Sequence, residues 1–270
     1  MDTISFIFMF LLGTIIGSFL NVVIYRFNTG KTMVKGHSIC MTCNRNLRWY
    51  ELIPVLSFLI QNGKCRRCAS SISHQYPLVE LSTGLIFALI AYHFLPIFLI
   101  SIPSYIIFVS LFSFIFSLLI VIVVYDIRHK VIPDKLVYLF IIISFFSIFI
   151  NFSGFGSFLI KPTLMSIVSG PLFSLPFVIL WFVSRGRWMG LGDAKLILGI
   201  GWLLGPLATL CALTLSFWIG SVISLIIMAL SHNKMNMKTE IPFAPFLVFS
   251  VLITFLLNLD VFSLSSLFHF

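Results

Sequence analysis

Apolar runs long enough to cross a membrane recur along the whole chain, at 4–24, 77–95, 104–125, 136–152, 164–184, 194–209, 211–230 and 243–259. A helix rises about 1.5 Å per residue, so roughly 20 apolar residues span the hydrocarbon of a bilayer. The runs are apolar all round, whereas strands of a membrane barrel alternate apolar and polar residues, so helices must carry this chain. With 60% hydrophobic and 9% charged residues and a mean hydropathy of +1.12, it lies outside the range of ordinary globular domains. The expected fold is an all-α polytopic membrane protein of about eight transmembrane helices. Between 194 and 230, Gly199, Gly201, Gly205 and Pro206 interrupt the run, which predicts two helices with a break near Gly205-Pro206.

Charge orients these helices. The net charge is +9, but the basic residues flank membrane segments rather than forming a nucleic-acid patch, so lipid headgroups and not nucleic acids are the expected partners. On this layout Lys161 is the one basic residue outside, and the other sixteen face the cytosol. The N-terminus is then outside, the first span is a retained anchor, and the segment from Arg26 to about Tyr76, with its eight Lys and Arg residues, is cytosolic. Three parts result: a first transmembrane helix in 1–25, a cytosolic loop in 26–76 and a membrane core in 77–270. Gly13, Gly17 and Ser18 offer a small-residue face for close helix packing. Pro242 and Pro245 predict an extended or kinked entry into the last span. No internal repeat is visible.

Cys40-Met-Thr-Cys43 and Cys65-Arg-Arg-Cys68 are two C-x2-C knuckles separated by 21 residues. Together they supply four thiolates to one tetrahedral ion, the pattern of a structural zinc site. Disulfides fit poorly with a reducing compartment, and a redox dithiol lacks the βαβ setting it needs. A loop of this size has little core, so the metal would supply much of its folding free energy. His37 and His74 are not needed as ligands and read as surface residues, and Cys211 reads as a small buried hydrophobe. Glu80, one turn into the second span, is expected to pair with a basic residue or to cap its helix.

Two acids stand at helix ends 67 positions apart: Asp126 in Tyr125-Asp-Ile-Arg-His, and Asp193 in Gly190-Leu-Gly-Asp-Ala-Lys195. An ionisable residue at a membrane boundary is costly and marks a functional site. Two carboxyl groups sharing one proton provide a base for water and an acid for a leaving nitrogen, the needs of peptide hydrolysis without a side-chain nucleophile. Gly190 and Gly192 would leave the backbone beside Asp193 open to an extended peptide. Asp134 competes with Asp126 but, following Pro133, is expected to cap the next helix. Glu51, Glu240 and Asp260 read as interfacial. No serine triad, zinc-protease helix or nucleotide-binding loop is present. On chemistry alone, an intramembrane aspartyl protease and an ion-coupled transporter both remain open.

Several further stretches resemble one family. Gly17-Ser-Phe-Leu-Asn-Val-Val-Ile-Tyr-Arg26, the two knuckles with Ile53-Pro-Val-Leu-Ser57 between them, and Tyr76-Pro-Leu-Val-Glu80 resemble the bacterial type IV prepilin peptidases, of the wider Gly-x-Gly-Asp aspartyl proteases. Asp126 with Ile132-Pro133, Gly190-Leu-Gly-Asp-Ala-Lys-Leu196 and Pro242-Phe-Ala-Pro-Phe246 continue the likeness over nearly the whole chain. The resemblance implies an inner-membrane enzyme that cleaves short basic leaders from prepilins and pseudopilins after a glycine at the cytosolic face. It implies Asp126 and Asp193 as the catalytic pair. Because the cysteine loop is kept, it also implies N-methylation of the new N-terminal residue with S-adenosyl-L-methionine as donor, with no residue assigned to that donor. Met41 replaces the proline that many relatives carry after the first cysteine, which changes no ligand. A peptidase without methyltransferase activity and a non-enzymatic zinc-bearing scaffold are the rival readings beside the transporter. No oligomeric state is implied.

Overall fold

The computed structural model describes residues 2–30, 32, 38–152, 157–230 and 242–262. These residues form helices α1 (Asp2–Arg26), α2 (Leu56–Ile60), α3 (Gln75–His93), α4 (Leu95–Phe98), α5 (Ile102–His129), α6 (Asp134–Ser147), α7 (Leu164–Ser184), α8 (Leu191–Leu204), α9 (Pro206–Leu230) and α10 (Ala244–Leu257), with a 3-10 turn at Trp49–Glu51. The eight expected runs correspond to α1, α3 and α5–α10. Five of them (α1, α3, α5, α7, α9) are long and apolar enough to cross a membrane. The other three have 14 residues each, about 21 Å of helix, which is shorter than the bilayer core. The predicted break falls at Gly205, whose φ of +77° ends α8, and Pro206 opens α9, where its missing N–H costs nothing. Residues 206–209 therefore belong to the later helix.

The chain forms two compact units, Met1–Val121 and Ile122–Phe270. In the first, α1 packs along α3. The small-residue face expected on α1 is real: a Cβ on Gly13 would stand 2.7 Å from Gly84 Cα, and one on Gly17 2.8 Å from Glu80 Cα. Close approach lets side chains bond across the pair. Buried Asn21 donates from Nδ2 to Gly17 O at 3.3 Å and Tyr76 O at 3.2 Å, and the Tyr25 and Tyr76 rings stack at 5.2 Å. The end of α1 and the start of α3 are thus tied by polar contacts that an apolar medium strengthens.

In the second unit, α8 is the central element, packed on α6, α7 and α9, and α9 packs on α10. Ser169 Oγ donates to Gly201 O at 2.7 Å and Ser174 Oγ to Ala194 O at 2.8 Å, fixing α7 to α8. Pro171 inside α7 leaves Ile167 O without its helical donor. Trp202 Nε1 of α8 supplies one at 2.8 Å, the kind of repair that makes a proline tolerable in a membrane helix. Cys211 is fully buried in α9, as expected.

Candidate active site and metal centre

Both candidate acids lie in the second unit. Asp126 sits in the last turn of α5 and Asp193 in the first turn of α8; they are 5% and 9% exposed. The two are close enough for the charge of Asp126 to act on Asp193. The backbone N–H of Ala244, first residue of α10, donates to the Asp126 carboxylate. The Pro-Phe-Ala-Pro-Phe entry of the last helix therefore does more than turn the chain, since it aims a helix N-terminus at an acid. Asp193 Oδ1 is buried and has no protein partner, so one oxygen is left to hold a water or a substrate group. Phe243 and Phe246, on either side of Ala244, line an open apolar cleft of about 290 Å³ together with Ser216, Phe217 and Gly220.

Two expectations about neighbouring residues need correction. Asp134 does not cap α6. It is the first helical residue, and its exposed carboxylate forms an ion pair at 2.7 Å with Lys195 of α8, whose ammonium also lies over the Tyr138 ring. Gly192 is not an open approach for substrate: a Cβ there would meet Ile132 Cβ at 2.7 Å. Its glycine lets the α5–α6 connection lie against the start of α8. Gly190 does remain open, with nothing nearer than Asp193 Oδ2 at 3.7 Å.

The cysteine loop lies in the first unit. The four Sγ atoms stand within 4.8 Å of one another, a cluster that can hold a metal ion. Thiolates about 2.3 Å from a tetrahedral ion stand roughly 3.8 Å apart, and Cys40 and Cys68 Sγ are separated by 3.8 Å. Donors favour the thiolate at two of the four: the backbone N–H groups of Cys43 and Thr42 bring the Cys40 thiol down to about 6, and the Ser70 hydroxyl lowers Cys68, while Cys43 is raised by burial and by the neighbouring cysteines. His74 is exposed, outside this cluster and edge-on to Phe58, while His37 lies outside the described residues.

Reading the sequence for repeats misses what the backbone does here. Cys40 and Cys65 each donate to the residue five positions on, and each accepts from the residue four positions on; Leu47 N bonds Ser38 O as Ile72 N bonds Gly63 O. Asn44 and Ala69 take the same left-handed conformation, at φ +52° and +54°. The knuckles are copies of one hairpin, and the matching C-x2-C spacing is the only trace in the sequence. Glu51 was expected to be interfacial. It is buried, accepts Arg45 Nη2 at 2.6 Å and Arg48 N at 2.9 Å, and locks the first knuckle to the 3-10 turn. Burial pushes the Glu51 carboxyl up, but the Arg48 amide and Arg45 guanidinium outweigh it and hold it below the usual range. Asp260 is exposed, and Glu240 lies outside the described residues.

Among the described residues, Glu80 neither caps α3 nor meets a basic side chain. Its carboxylate accepts the backbone N–H of Val55 at 2.7 Å and the Ser18 hydroxyl, joining the loop to both helices of the pair.

Fold and site together define a polytopic helical membrane protein with a pair of buried, interacting carboxylates and a four-thiol loop. Comparison with known proteins narrows the class. Residues 11–94 match the bacterial peptidase A24 N-terminal domain and residues 113–225 the type IV leader peptidase family. A prepilin leader peptidase/N-methyltransferase of Vibrio cholerae is 30% identical over 276 residues, 94% of this chain and 98% of the relative. One of Bacillus subtilis is 32% identical over 243 residues, 88% of each chain. One of Myxococcus xanthus is 51% identical over 81 residues, 30% of this chain and 24% of the relative. No solved structure matches. The chain belongs to the type IV leader peptidase family.

Proposed function

We propose that this protein removes the short basic leader of prepilins and pseudopilins at the cytosolic face of the bacterial inner membrane, and N-methylates the residue so exposed. The observation that carries the peptidase reading is the pair Asp126 and Asp193, buried and interacting at the ends of two helices. One carboxylate takes a proton from water as its oxygen attacks the scissile carbonyl carbon. The other hydrogen-bonds the carbonyl oxygen and then gives its proton to the leaving nitrogen as the C–N bond breaks. The free Oδ1 of Asp193 and the apolar cleft beside Ala244 support this reading, the first as a handle for water and the second as room for the apolar part of a substrate. Asp134 is the weaker candidate, because it is exposed and committed to Lys195.

The metal in this reading is zinc, held by Cys40, Cys43, Cys65 and Cys68. Its role is structural, since four thiolates complete a tetrahedral shell and leave no open position. The methyltransferase activity rests on the names of the relatives that the chain resembles, with S-adenosyl-L-methionine supplying an electrophilic methyl group to the new amine. An ion-coupled transporter would place its acids in broken helices near the bilayer midplane, whereas these stand in the last and first turns of their helices. Mass spectrometry of a prepilin incubated with the purified protein tests the whole reading. Cleavage after the glycine is expected without the donor, and one added methyl group on the product with it. An uncleaved substrate would overturn the peptidase reading, and a cleaved but unmethylated one would leave a peptidase alone.

A further inference from the structure

The loop between the first two long helices exposes side chains that a polar cytosolic segment would ordinarily hide. Of the five residues of α2, Phe58 turns toward Gly63 and His74. Leu56, Leu59 and Ile60 are 56%, 61% and 68% exposed, and Trp49, in the 3-10 turn packed against α2, is 78% exposed. Leu52 and Ile53 between them are exposed as well. A contiguous apolar surface of this kind marks a contact with another phase or another molecule.

Two independent observations say which. The first is depth. Val55, the residue before α2, is bonded to Glu80, the sixth residue of α3, about 7.5 Å along the axis of a membrane-spanning helix. Leu78 and Leu81 on that part of α3 are exposed apolar residues too. Thus α2 starts at the level where the lipid-facing surface of α3 begins, and is not raised above it. The second is charge. Arg48, Lys64, Arg66 and Arg67 are exposed around the patch. The single acid between Asp2 and Glu80 is Glu51, which is buried and neutralised by Arg45. Every exposed formal charge of the described loop is therefore positive.

We propose that α2 and Trp49 form an interfacial anchor, seated among the headgroups of an anionic leaflet, so that the four-cysteine loop lies on the bilayer surface. Apolar side chains entering the headgroup region with a basic rim toward anionic lipid are the chemistry by which short amphipathic elements bind membranes, and tryptophan favours that zone. The inference rests on α1 and α3 spanning the membrane and is independent of the peptidase reading.

The test uses the full-length protein in nanodiscs containing anionic lipid, as wild type and as Trp49→Phe. The difference between the two emission spectra isolates Trp49. It should be blue-shifted from that of an indole in water and quenched by lipids brominated near the glycerol end of the acyl chain. Leu59→Glu with Ile60→Glu should return it to the water-exposed position. Hydrogen exchange of the wild type needs no substitution: the amides of 56–60 should exchange more slowly in anionic than in zwitterionic nanodiscs. A water-like, unquenched difference spectrum, or exchange indifferent to lipid charge, would overturn the proposal. So would shielding of Trp49 that appears only when a prepilin is added, which would give the surface to substrate.

Discussion

The Glu80 carboxylate holds the backbone N–H of Val55 at 2.7 Å, at a point where Val55 has φ +59° and ψ −52°. A β-branched residue at positive φ is strained, by about 1–3 kcal/mol, and persists only where its surroundings impose it. Glu80 is the group that imposes it. Glu80→Ala should destabilise the loop by roughly 1–3 kcal/mol, the cost of an unpaired buried donor, read as faster proteolysis near Val55 in otherwise intact protein. Glu80→Gln, which keeps an acceptor oxygen, should retain most of the protection. Val55→Gly should be neutral or stabilising despite the lost side chain, because glycine adopts that conformation freely. Clear destabilisation by Val55→Gly would argue against stored strain.

Each of the two buried acids should be indispensable if they share a proton. Asp126→Asn and Asp193→Asn should each abolish prepilin cleavage while membrane insertion and metal content stay unchanged, and the double variant should be no worse than either single one. Asp134→Asn should retain substantial activity, since it weakens an exposed ion pair of small energetic weight. An active Asp193→Asn protein would be incompatible with the mechanism.

Gly192 offers a separate check on how the acid is placed. Gly192→Ala drives a methyl group into Ile132, an overpacking expected to cost about 1–3 kcal/mol and to displace the start of α8. Cleavage should fall, and Ile132→Ala should restore part of it in the double variant. Full activity of Gly192→Ala alone would mean that the α5–α6 connection moves aside without consequence.

The four thiols predict about one zinc per purified chain. Cys40→Ser or Cys65→Ser should lower the metal content, and chelation should loosen residues 38–74 ahead of the helices, because the loop has little apolar core to fall back on. Two disulfides and no metal, in protein kept reduced as in the cytosol, would refute the site.

Sidedness follows from the basic-residue asymmetry. Cysteines placed at Asn62 and Ser157 in a background without native cysteines should differ in intact cells, with an impermeant reagent reaching Ser157 and not Asn62. Labelling at Asn62 would reverse the proposed orientation.

The long helices were legible because an apolar run is a local property, and the breaks at Gly205 and Pro133 are local as well. What escaped reading was set by contacts between distant segments. Glu80 was recognisable as an odd carboxylate in an apolar run, but nothing nearby pointed to Val55. Asp134 beside Pro133 looked like a cap until Lys195, 61 residues later, took its carboxylate. The three 14-residue helices were read as ordinary spans because flanking apolar residues continue the run beyond the helical part. The cysteine cluster was readable because metal ligation imposes a spacing, whereas the hairpin shared by the two knuckles lies in backbone bonds that any side chain can make.

The arrangement around Asp126 has a consequence for how this site is dissected. Asp193 lies in the opening turn of α8, and Asp126 is met by the first amide of α10, so both carboxylates face the positive ends of helix dipoles. Lys195, the nearest basic residue in sequence to Asp193, is turned to Asp134 instead. The counter-charge for the negative charge on this proton-sharing pair is thus carried by main chain. A scan that replaces basic side chains one at a time will pass over it, and it becomes visible only to changes that move a helix start, such as replacement of Pro242 or Pro245, or to amide-to-ester substitution at Ala244.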